Sequence, residues 1–259
     1  MNKKYKQIAE ETVAAIDAGF YKSPSGAKIP LTLSESRLYK PDWKFPDPSA
    51  FEKKRPTFEI TNESTLEAAL RLKDINPCVL NFASATNPGG GFLRGAVAQE
   101  ESIARSSCLY RTLTPHSEFY RQNRAAPCVY QDYAIYSPDV TIFRNDYGEL
   151  LETPYNATIL TSAAPNMLAA RNLAGFVVGD VEDAFYLRVK QVLNIMRYEG
   201  HTNLILGAWG CGAFGNDPWV IASFFYDALE QYPWFDNVLF AIYDKPESER
   251  LIAFQETFG

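Results

Sequence analysis

Four short apolar segments constrain the fold of this chain more strongly than any other feature. Each is a continuous run rather than an alternating one, which is typical of β-strands covered on both faces. The four segments are CVLNFA (78–83), ATILTSAA (157–164), NLILGAW (203–209) and NVLFAIYD (237–244). Helical patterns lie between them, and strands that alternate with helices indicate a mixed or parallel sheet inside a three-layer α/β/α sandwich. Such sheets bind ligands at the carboxyl ends of their strands.

The N-terminal part of the chain has a different organisation. Residues 4–18 show the spacing of an amphipathic helix, and the turn Ser-Pro-Ser-Gly at 23–26 predicts a hairpin. Residues 40–56 contain four prolines and many charges, which indicates a linker. We therefore predict an N-terminal accessory extension over residues 1–56 and a larger domain over residues 57–259.

Four helices of the larger domain are predicted. Ser64 and Glu67 form a capping box, which predicts a helix that runs to about Lys73. A second helix is predicted to run from the glycine-rich loop after the 78–83 strand to about Leu113. Asp180 is predicted to cap a long helix. We also predict a helix over 218–231.

Charge and residue usage exclude several classes of function. The net charge is −6 and no dense Lys/Arg run occurs, which argues against general nucleic-acid binding. A small anionic ligand stays possible, because backbone amides hold phosphates without net positive charge. The four cysteines and two histidines lack zinc-type spacing, so we predict no metal site. They are Cys78, Cys108, Cys128, Cys211, His116 and His201.

The chain shows no membrane-spanning or secretory pattern. No run of about 18 apolar residues occurs, and the charged N-terminus lacks the apolar core of a signal peptide. We read the cysteines as free thiols in a reducing compartment. The sequence thus predicts a soluble, cytoplasmic protein without membrane contact.

Two glycine-rich loops directly follow predicted strands. The first is Asn87-Pro88-Gly89-Gly90-Gly91, which is either a flexible turn or a place where the backbone approaches a ligand closely. The second runs from Gly210 to Asn216, and its small residues can curl around a diphosphate. It has no lysine for a triphosphate, so a nucleoside triphosphatase is disfavoured. Phe214 is the one large residue in it, and it either anchors the loop in the core or forms a wall of the ligand pocket.

The triplet Gln99-Glu100-Glu101 stands a few residues after the first loop. Two glutamates at a helix start are often only solvated, and they also favour the helix dipole. If they open a helix, their side chains point about 100° apart and cannot form a facing acid/base pair. One could then act as a general acid while the other accepts hydrogen bonds from sugar hydroxyls. No G-x-S-x-G motif occurs, so a hydrolase would depend on carboxylate chemistry.

The first loop and the triplet together resemble a known signature. GGG, seven residues (FLRGAVA) and QEE resemble the poly(ADP-ribose) glycohydrolases. The stretches NFASATNPGGG, SIARSSCLYRTL and ILGAWGCGAFGNDP are similar to the microbial branch of that family. The resemblance implies a three-layer α/β/α macrodomain with a mixed central sheet over residues 57–259, and an N-terminal helical extension over 1–56.

The resemblance also implies roles for individual residues. Glu101 matches the catalytic acid, and Glu100 matches the glutamate that orients the terminal ribose. A neighbouring carboxyl and a diphosphate should raise the pKa of Glu101. The remaining matches are substrate-binding positions: Asn87, Gly89, Gly90, Gly91, Gln99, Gly210, Cys211, Gly212, Ala213 and Phe214. Among these, Phe214 would press on the distal ribose. We also predict that Asn62 contacts the adenine, only because it lies at a strand end.

The implied substrate is poly(ADP-ribose) or ADP-ribosylated protein, with ADP-ribose as product and no cofactor. Two alternatives stay open. One is a mono-ADP-ribosyl hydrolase, which the sequence does not separate from a polymer hydrolase. The other is a binding macrodomain without catalysis, which the QEE triplet disfavours. The tyrosine-bearing clasp of the vertebrate enzymes has no evident counterpart, so we predict trimming from the free polymer end.

Overall fold

The computed structural model of this protein describes residues 2–47 and 53–259. The middle of the predicted linker therefore lies outside the described residues. The helices are α1 Lys3–Ala18, α2 Thr65–Arg71, α3 Gln99–Ser106, α4 Leu109–Leu113, α5 Ser117–Ala125, α6 Met167–Ala170, α7 Val178–Tyr198, α8 Pro218–Gln231 and α9 Glu249–Phe258. The strands are β1 Phe20–Lys22, β2 Lys28–Pro30, β3 Arg37–Tyr39, β4 Thr57–Thr61, β5 Cys78–Phe82, β6 Ala134–Arg144, β7 Leu150–Ser162, β8 Asn203–Leu206 and β9 Asn237–Ala241.

A mixed sheet forms the centre of the fold. Its order is β3-β6-β7-β5-β8-β9-β4 in the described residues. The strands from β7 to β4 are parallel, whereas β6 runs antiparallel to both β7 and β3. The prediction of a mixed sheet is therefore confirmed.

The two faces of the sheet are covered by separate cores. On β5, Val79 packs with α2, α3 and α4, whereas Leu80 packs with α7, α8 and α9. On β8, Ile205 belongs to the same core as Val79, and Leu206 belongs to the same core as Leu80. Because successive strand residues point to opposite faces, a strand buried on both faces is largely apolar. This explains the continuous apolar segments and confirms the three-layer sandwich.

The N-terminal part of the chain packs directly on the rest. The Asn2 side chain caps α1, and Gly19 ends it with φ +75°. The helix then contacts α3, where Thr12 Oγ1 donates to the Arg105 carbonyl at 2.7 Å. Strand β3 joins the edge of the central sheet beside β6. The division into two units at residue 56 stays a prediction.

Several element boundaries differ from the predictions. The helix expected to reach Leu113 is interrupted, because the Cys108 amide donates to the Thr141 carbonyl at 2.9 Å and Ser107 bridges Ile142. The predicted cap at Asp180 is wrong. Helix α7 begins after Val177, which gives no side-chain cap, and Asp180 lies in the first turn.

The other helix ends follow local chemistry. The Ser64–Glu67 capping box forms with both of its hydrogen bonds and opens α2. Asp217 caps α8, whose first residue is a proline, and the predicted 218–231 bounds are confirmed. Helix α5 was missing from the sequence interpretation. Within residues 2–47 and 53–259, no helix has the length and apolarity needed to cross a membrane.

Candidate active site

A cavity of about 600 Å³ opens at the carboxyl edge of the sheet. The ends of β5, β8 and β9 all contribute to it, through Phe82, Ala208 and Ala241 respectively. This is the edge at which open α/β sheets bind ligands. Both glycine-rich loops and the start of α3 line the same cavity.

Gln99 links the start of α3 to the side of β5. Its Oε1 accepts from the Phe82 amide at 2.8 Å, and its Nε2 donates to the Leu80 carbonyl at 2.8 Å. The side-chain amide thus pairs with the strand as a backbone peptide group would. This pairing fixes the helix start against the strand, and so sets where the next two side chains lie.

Glu100 is buried at the base of the cavity. Its Oε2 accepts from the Ser84 amide at 2.6 Å, and its Oε1 lies 3.4 Å from Asn81 Nδ2. Burial, with a smaller contribution from the charge of Glu101, raises the pKa of Glu100 to about 8. The hydrogen bonds from Ser84, Asn81 and Gly89 oppose this rise without cancelling it. Glu100 is therefore mostly protonated at neutral pH in the ligand-free protein.

Glu101 lies against the first glycine-rich loop. Its Oε1 accepts from the Gly91 amide at 2.8 Å. Gly90 has φ +60°, and an added Cβ there would clash with Glu101 Oε1 and lie 3.1 Å from Glu100 Oε2. A bare backbone at Gly90 is therefore what allows both carboxyl groups to approach the loop.

The two glutamates have different partners, as the helix geometry predicted. Glu100 is held by β5 and the chain that follows it, whereas Glu101 is held by the glycine-rich loop. Both also lie in the first turn of α3, where a negative charge is favoured. The alternative in which the pair is merely solvated does not hold for Glu100, whose side chain is 2% exposed.

The second glycine-rich loop forms another part of the cavity wall. Gly210 has φ +74°, and Asn216 Nδ2 donates to its carbonyl at 2.9 Å, which closes the loop. Among the hydrogen bonds of the described residues, none uses the amides of Gly212, Ala213 or Phe214 as donors. Consecutive free amides beside a cavity make an anion-binding site.

Phe214 both contacts the core and forms part of the cavity wall, which are the two roles that the sequence left open. It lines the cavity and also packs, partly buried, against the core on the α7 side. Its ring lies 6.3 Å from that of Tyr130. The side chain is therefore a cavity wall held in place by the core.

Two of the predicted site residues do not line the cavity. Gly89, in the first loop, packs against Phe92, and an added Cβ there would come within 2.8 Å of the Phe92 ring. The Cys211 thiol donates to the Trp209 carbonyl at 3.5 Å, and burial raises its pKa to about 12. The other predicted residues do line it: Asn87, Gly90, Gly91, Gln99, Glu100, Glu101, Gly210, Gly212, Ala213 and Phe214.

Asn62 lies outside the cavity lining. Its side-chain amide binds the backbone of Asp244 in both directions, with Nδ2 donating at 2.8 Å and Oδ1 accepting at 3.1 Å. This closes the turn after β9. The Asn62 side chain therefore has a structural role, and its contact with adenine stays a prediction.

Sequence reasoning missed several residues of the cavity. Asp146 accepts from Ser64 Oγ at 2.5 Å and from Ser102 Oγ at 2.7 Å. Asp146 comes from the β6–β7 turn, and no local pattern marks it. Arg105 also lines the cavity. Its position four residues after Glu101 could have placed it on the same helix face.

No group of three or more His, Cys, Asp or Glu side chains suited to a metal ion occurs within the described ranges. The residues of the site include a carboxyl pair, free backbone amides and apolar walls. This set suits an anionic sugar derivative, because the amides can bind phosphate and the carboxyl groups can bind hydroxyls.

Comparisons with known proteins agree with this geometry. The family model described as "Microbial-type PARG, catalytic domain" matches residues 9–145. The crystal structure of poly(ADP-ribose) glycohydrolase from Thermomonospora curvata is 39% identical with a TM-score of 0.89, and the match covers 99% of this chain and 100% of that one. The same enzyme bound to the inhibitor ADP-HPD is 40% identical with a TM-score of 0.88, at the same coverage.

A third similar structure is a complex with ADP-ribose. Poly(ADP-ribose) glycohydrolase from Deinococcus radiodurans in complex with ADP-ribose is 38% identical with a TM-score of 0.77, covering 86% of this chain and 93% of that one. The comparison with curated proteins gives no match. The family model spans more than half of the chain, and the Thermomonospora relative matches nearly all of it. The chain therefore belongs to the microbial-type PARG catalytic-domain family.

Proposed function

We propose that this protein is a poly(ADP-ribose) glycohydrolase that cleaves ribose–ribose O-glycosidic bonds and releases ADP-ribose. The observation that carries the proposal is that Glu101, held by the first glycine-rich loop, lines the same cavity as a loop with free amides. Family membership and the ADP-ribose complex of the Deinococcus relative support the substrate class.

The cavity offers separate places for the parts of a terminal ADP-ribose unit. The free amides of Gly212, Ala213 and Phe214 would bind the diphosphate. Asn87 and the backbone of Gly90 and Gly91 would lie along the ribose next to it. The Phe214 ring would close the apolar side of that ribose. Binding at these points fixes the anomeric carbon beside Glu101, and such positioning lowers a barrier by several kcal/mol.

The proposed reaction uses Glu101 in two steps. In the first, the protonated carboxyl of Glu101 donates its proton to the leaving ribose oxygen, while that oxygen takes the electron pair of the breaking bond. The sugar passes through an oxocarbenium-like state. In the second, the Glu101 carboxylate takes a proton from water as the water oxygen bonds to the anomeric carbon. The carboxyl group is then regenerated.

Glu100 has a different proposed role in the same reaction. It is buried, and it is tied to the Ser84 amide and to Asn81. Its carboxyl group therefore has a fixed position at the base of the cavity. We assign to it the hydrogen bonds that orient the hydroxyls of the terminal ribose.

The proposal is tested with two substrates. Purified protein is incubated with poly(ADP-ribose) and, separately, with protein that carries single ADP-ribose units, and free ADP-ribose is quantified. We expect release from the polymer and not from the mono-modified protein. Release from the mono-modified protein alone would favour the mono-hydrolase alternative. Binding of ADP-ribose without release from either substrate would favour the binding-module alternative.

The direction of attack forms part of the proposal. Glu101 requires the terminal ribose to sit deep in the cavity, and α1 adds Tyr5 to the lining on one side. We propose trimming from the free end, with the protein-linked unit left in place because its leaving group is not a ribose hydroxyl. A time course on end-labelled polymer checks this. Early free oligomers of several units would show internal cleavage.

We also infer a cytoplasmic location. The four cysteines are free, two of them buried, and the chain shows no disulfide among its described residues. Free thiols are typical of proteins in reducing compartments. Detection of the native protein in a fractionated cell lysate checks the inference.

A further inference from the structure

Arg105 is a buried cation beside the proposed catalytic acid. Its side chain is 2% exposed, although it lines the cavity. Within the described parts of the chain, no carboxylate lies within ion-pair distance of it, and its Nε has no hydrogen-bond partner. An arginine is almost never buried unless it is paired. The burial of Arg105 is therefore not explained by a salt bridge.

Two contacts hold the guanidinium group in place. The Tyr5 ring of α1 lies 4.3 Å from Arg105 Cζ, which is a cation–π contact. Arg105 Nη1 donates to the Ala96 carbonyl at 3.2 Å. The group is thus held between the N-terminal helix and the loop that precedes α3.

The contact with Ala96 leads to Glu101 through consecutive hydrogen bonds. The Ala96 amide donates to the Gly91 carbonyl at 3.1 Å. The Gly91 amide in turn donates to Glu101 Oε1 at 2.8 Å. Arg105 thereby supports the loop whose amide orients the Glu101 carboxyl.

Arg105 also lies on the same face of α3 as Glu101, because residues four apart in a helix are neighbours. Burial lowers the pKa of Arg105, and Tyr5, Glu101 and Asp146 act in the opposite direction. The other charged groups that line the cavity are Glu67, Arg94, Glu100 and Arg250. A cation in this position favours the carboxylate form of a neighbouring acid.

We propose that Arg105 is a positioning residue of the active site, which fixes the loop that orients Glu101 and supplies a positive charge beside it. The inference rests on the proposed function, since it gives Arg105 a role in that reaction. It also links α1 to catalysis, because Tyr5 covers the guanidinium group. The cation stabilises Glu101 after it has donated its proton.

The test compares Arg105→Met, Arg105→Lys and Arg111→Met. Arg111 binds Asp17 at the surface and serves as the control for loss of an arginine. The measurements are kcat and KM on poly(ADP-ribose), the pH profile of kcat/KM, and the thermal midpoint. We expect Arg105→Met to lower kcat roughly tenfold or more, since small displacements of a catalytic group have large effects.

The pH profile separates this role from a structural one. Without the cation the protonated acid persists to higher pH, so the alkaline limb of kcat/KM should move up by about one unit in Arg105→Met. Arg105→Lys keeps the charge, so its limb should stay at the wild-type position. A lower thermal midpoint with an unmoved limb in Arg105→Met would overturn the proposal.

Tyr5→Leu provides a second test if Arg105→Met does not fold. This variant keeps the charge and removes the ring that holds it. We expect a lower kcat with an unchanged KM and an unmoved limb, and a wild-type kcat would overturn the proposal. If the proposed function is wrong, the wild-type protein itself will release no ADP-ribose. That result is distinct from a failure of the Arg105 proposal, in which the wild-type protein is active.

Discussion

Glu100→Gln should stabilise the ligand-free protein increasingly as the pH rises. The carboxyl of Glu100 is fully buried, and its pKa is raised from 4.5 to about 8. Below pH 4.5 it is protonated in both the folded and the unfolded state. Between the two values the unfolded state releases the proton and the folded state keeps it. The free energy of unfolding therefore falls as the pH rises through this window.

The magnitude follows from the size of the pKa shift. One pKa unit corresponds to about 1.4 kcal/mol. At pH 7 the folded protein has thus lost about 3 kcal/mol relative to acidic pH, and the loss levels off near 5 kcal/mol above pH 8. The amide of glutamine has no proton to release, so the variant lacks this loss. Its Oε1 can still accept from the Ser84 amide, as Glu100 Oε2 does.

The assay is urea unfolding at several pH values between 5 and 9. The quantity compared is the difference in the free energy of unfolding between Glu100→Gln and wild type, which should grow by about 3 kcal/mol from pH 5 to pH 8. Glu230→Gln, at an exposed position on α8, controls for the effect of the substitution itself. A difference for Glu100→Gln that does not change with pH would refute the reasoning.

Three further predictions concern the loop, a helix cap and metal ions. Gly90→Ala should lower turnover roughly a hundredfold, because the added methyl displaces Glu101, whereas Gly26→Ala, with φ +89° and open space around it, should leave turnover unchanged in the same assay. Ser64→Ala should lower the free energy of unfolding by about 1 kcal/mol, since α2 loses its cap and Asp146 loses a donor; an unchanged urea midpoint would contradict this. Activity should survive exhaustive chelation, because the proposed chemistry uses a carboxyl group and water, and a strict requirement for added Mg²⁺ or Zn²⁺ would contradict it.

Local patterns predicted the fold well where one interaction determines the element. The apolar runs predicted the strands of the sheet, because burial on both faces leaves few polar positions. The capping box at Ser64 placed the start of α2. The break at Ser107 was not predictable, because it depends on pairing with Ile142 in a distant strand.

Some residues of the site could be predicted from local sequence and others could not. The glycine-rich loops and the QEE triplet were visible because each is a short run with an unusual composition. The structure shows that burial raises the pKa of Glu100. Burial of one glutamate depends on how α3 lies against β5, which the triplet alone does not reveal. Asp146 and Tyr5 reach the cavity only through tertiary packing.

The most direct test of the account is the activity and ligand affinity of Glu101→Gln. The amide preserves the shape of the side chain and can keep the bond from the Gly91 amide, but it cannot donate a proton and regain it. We predict that ADP-ribose binds to the variant with an affinity close to that of wild type, as measured by calorimetry. We predict that release of ADP-ribose from the polymer is abolished. Turnover above roughly a tenth of the wild-type value would show that Glu101 is not the catalytic acid. Such a rate corresponds to an activation barrier raised by less than about 1.4 kcal/mol.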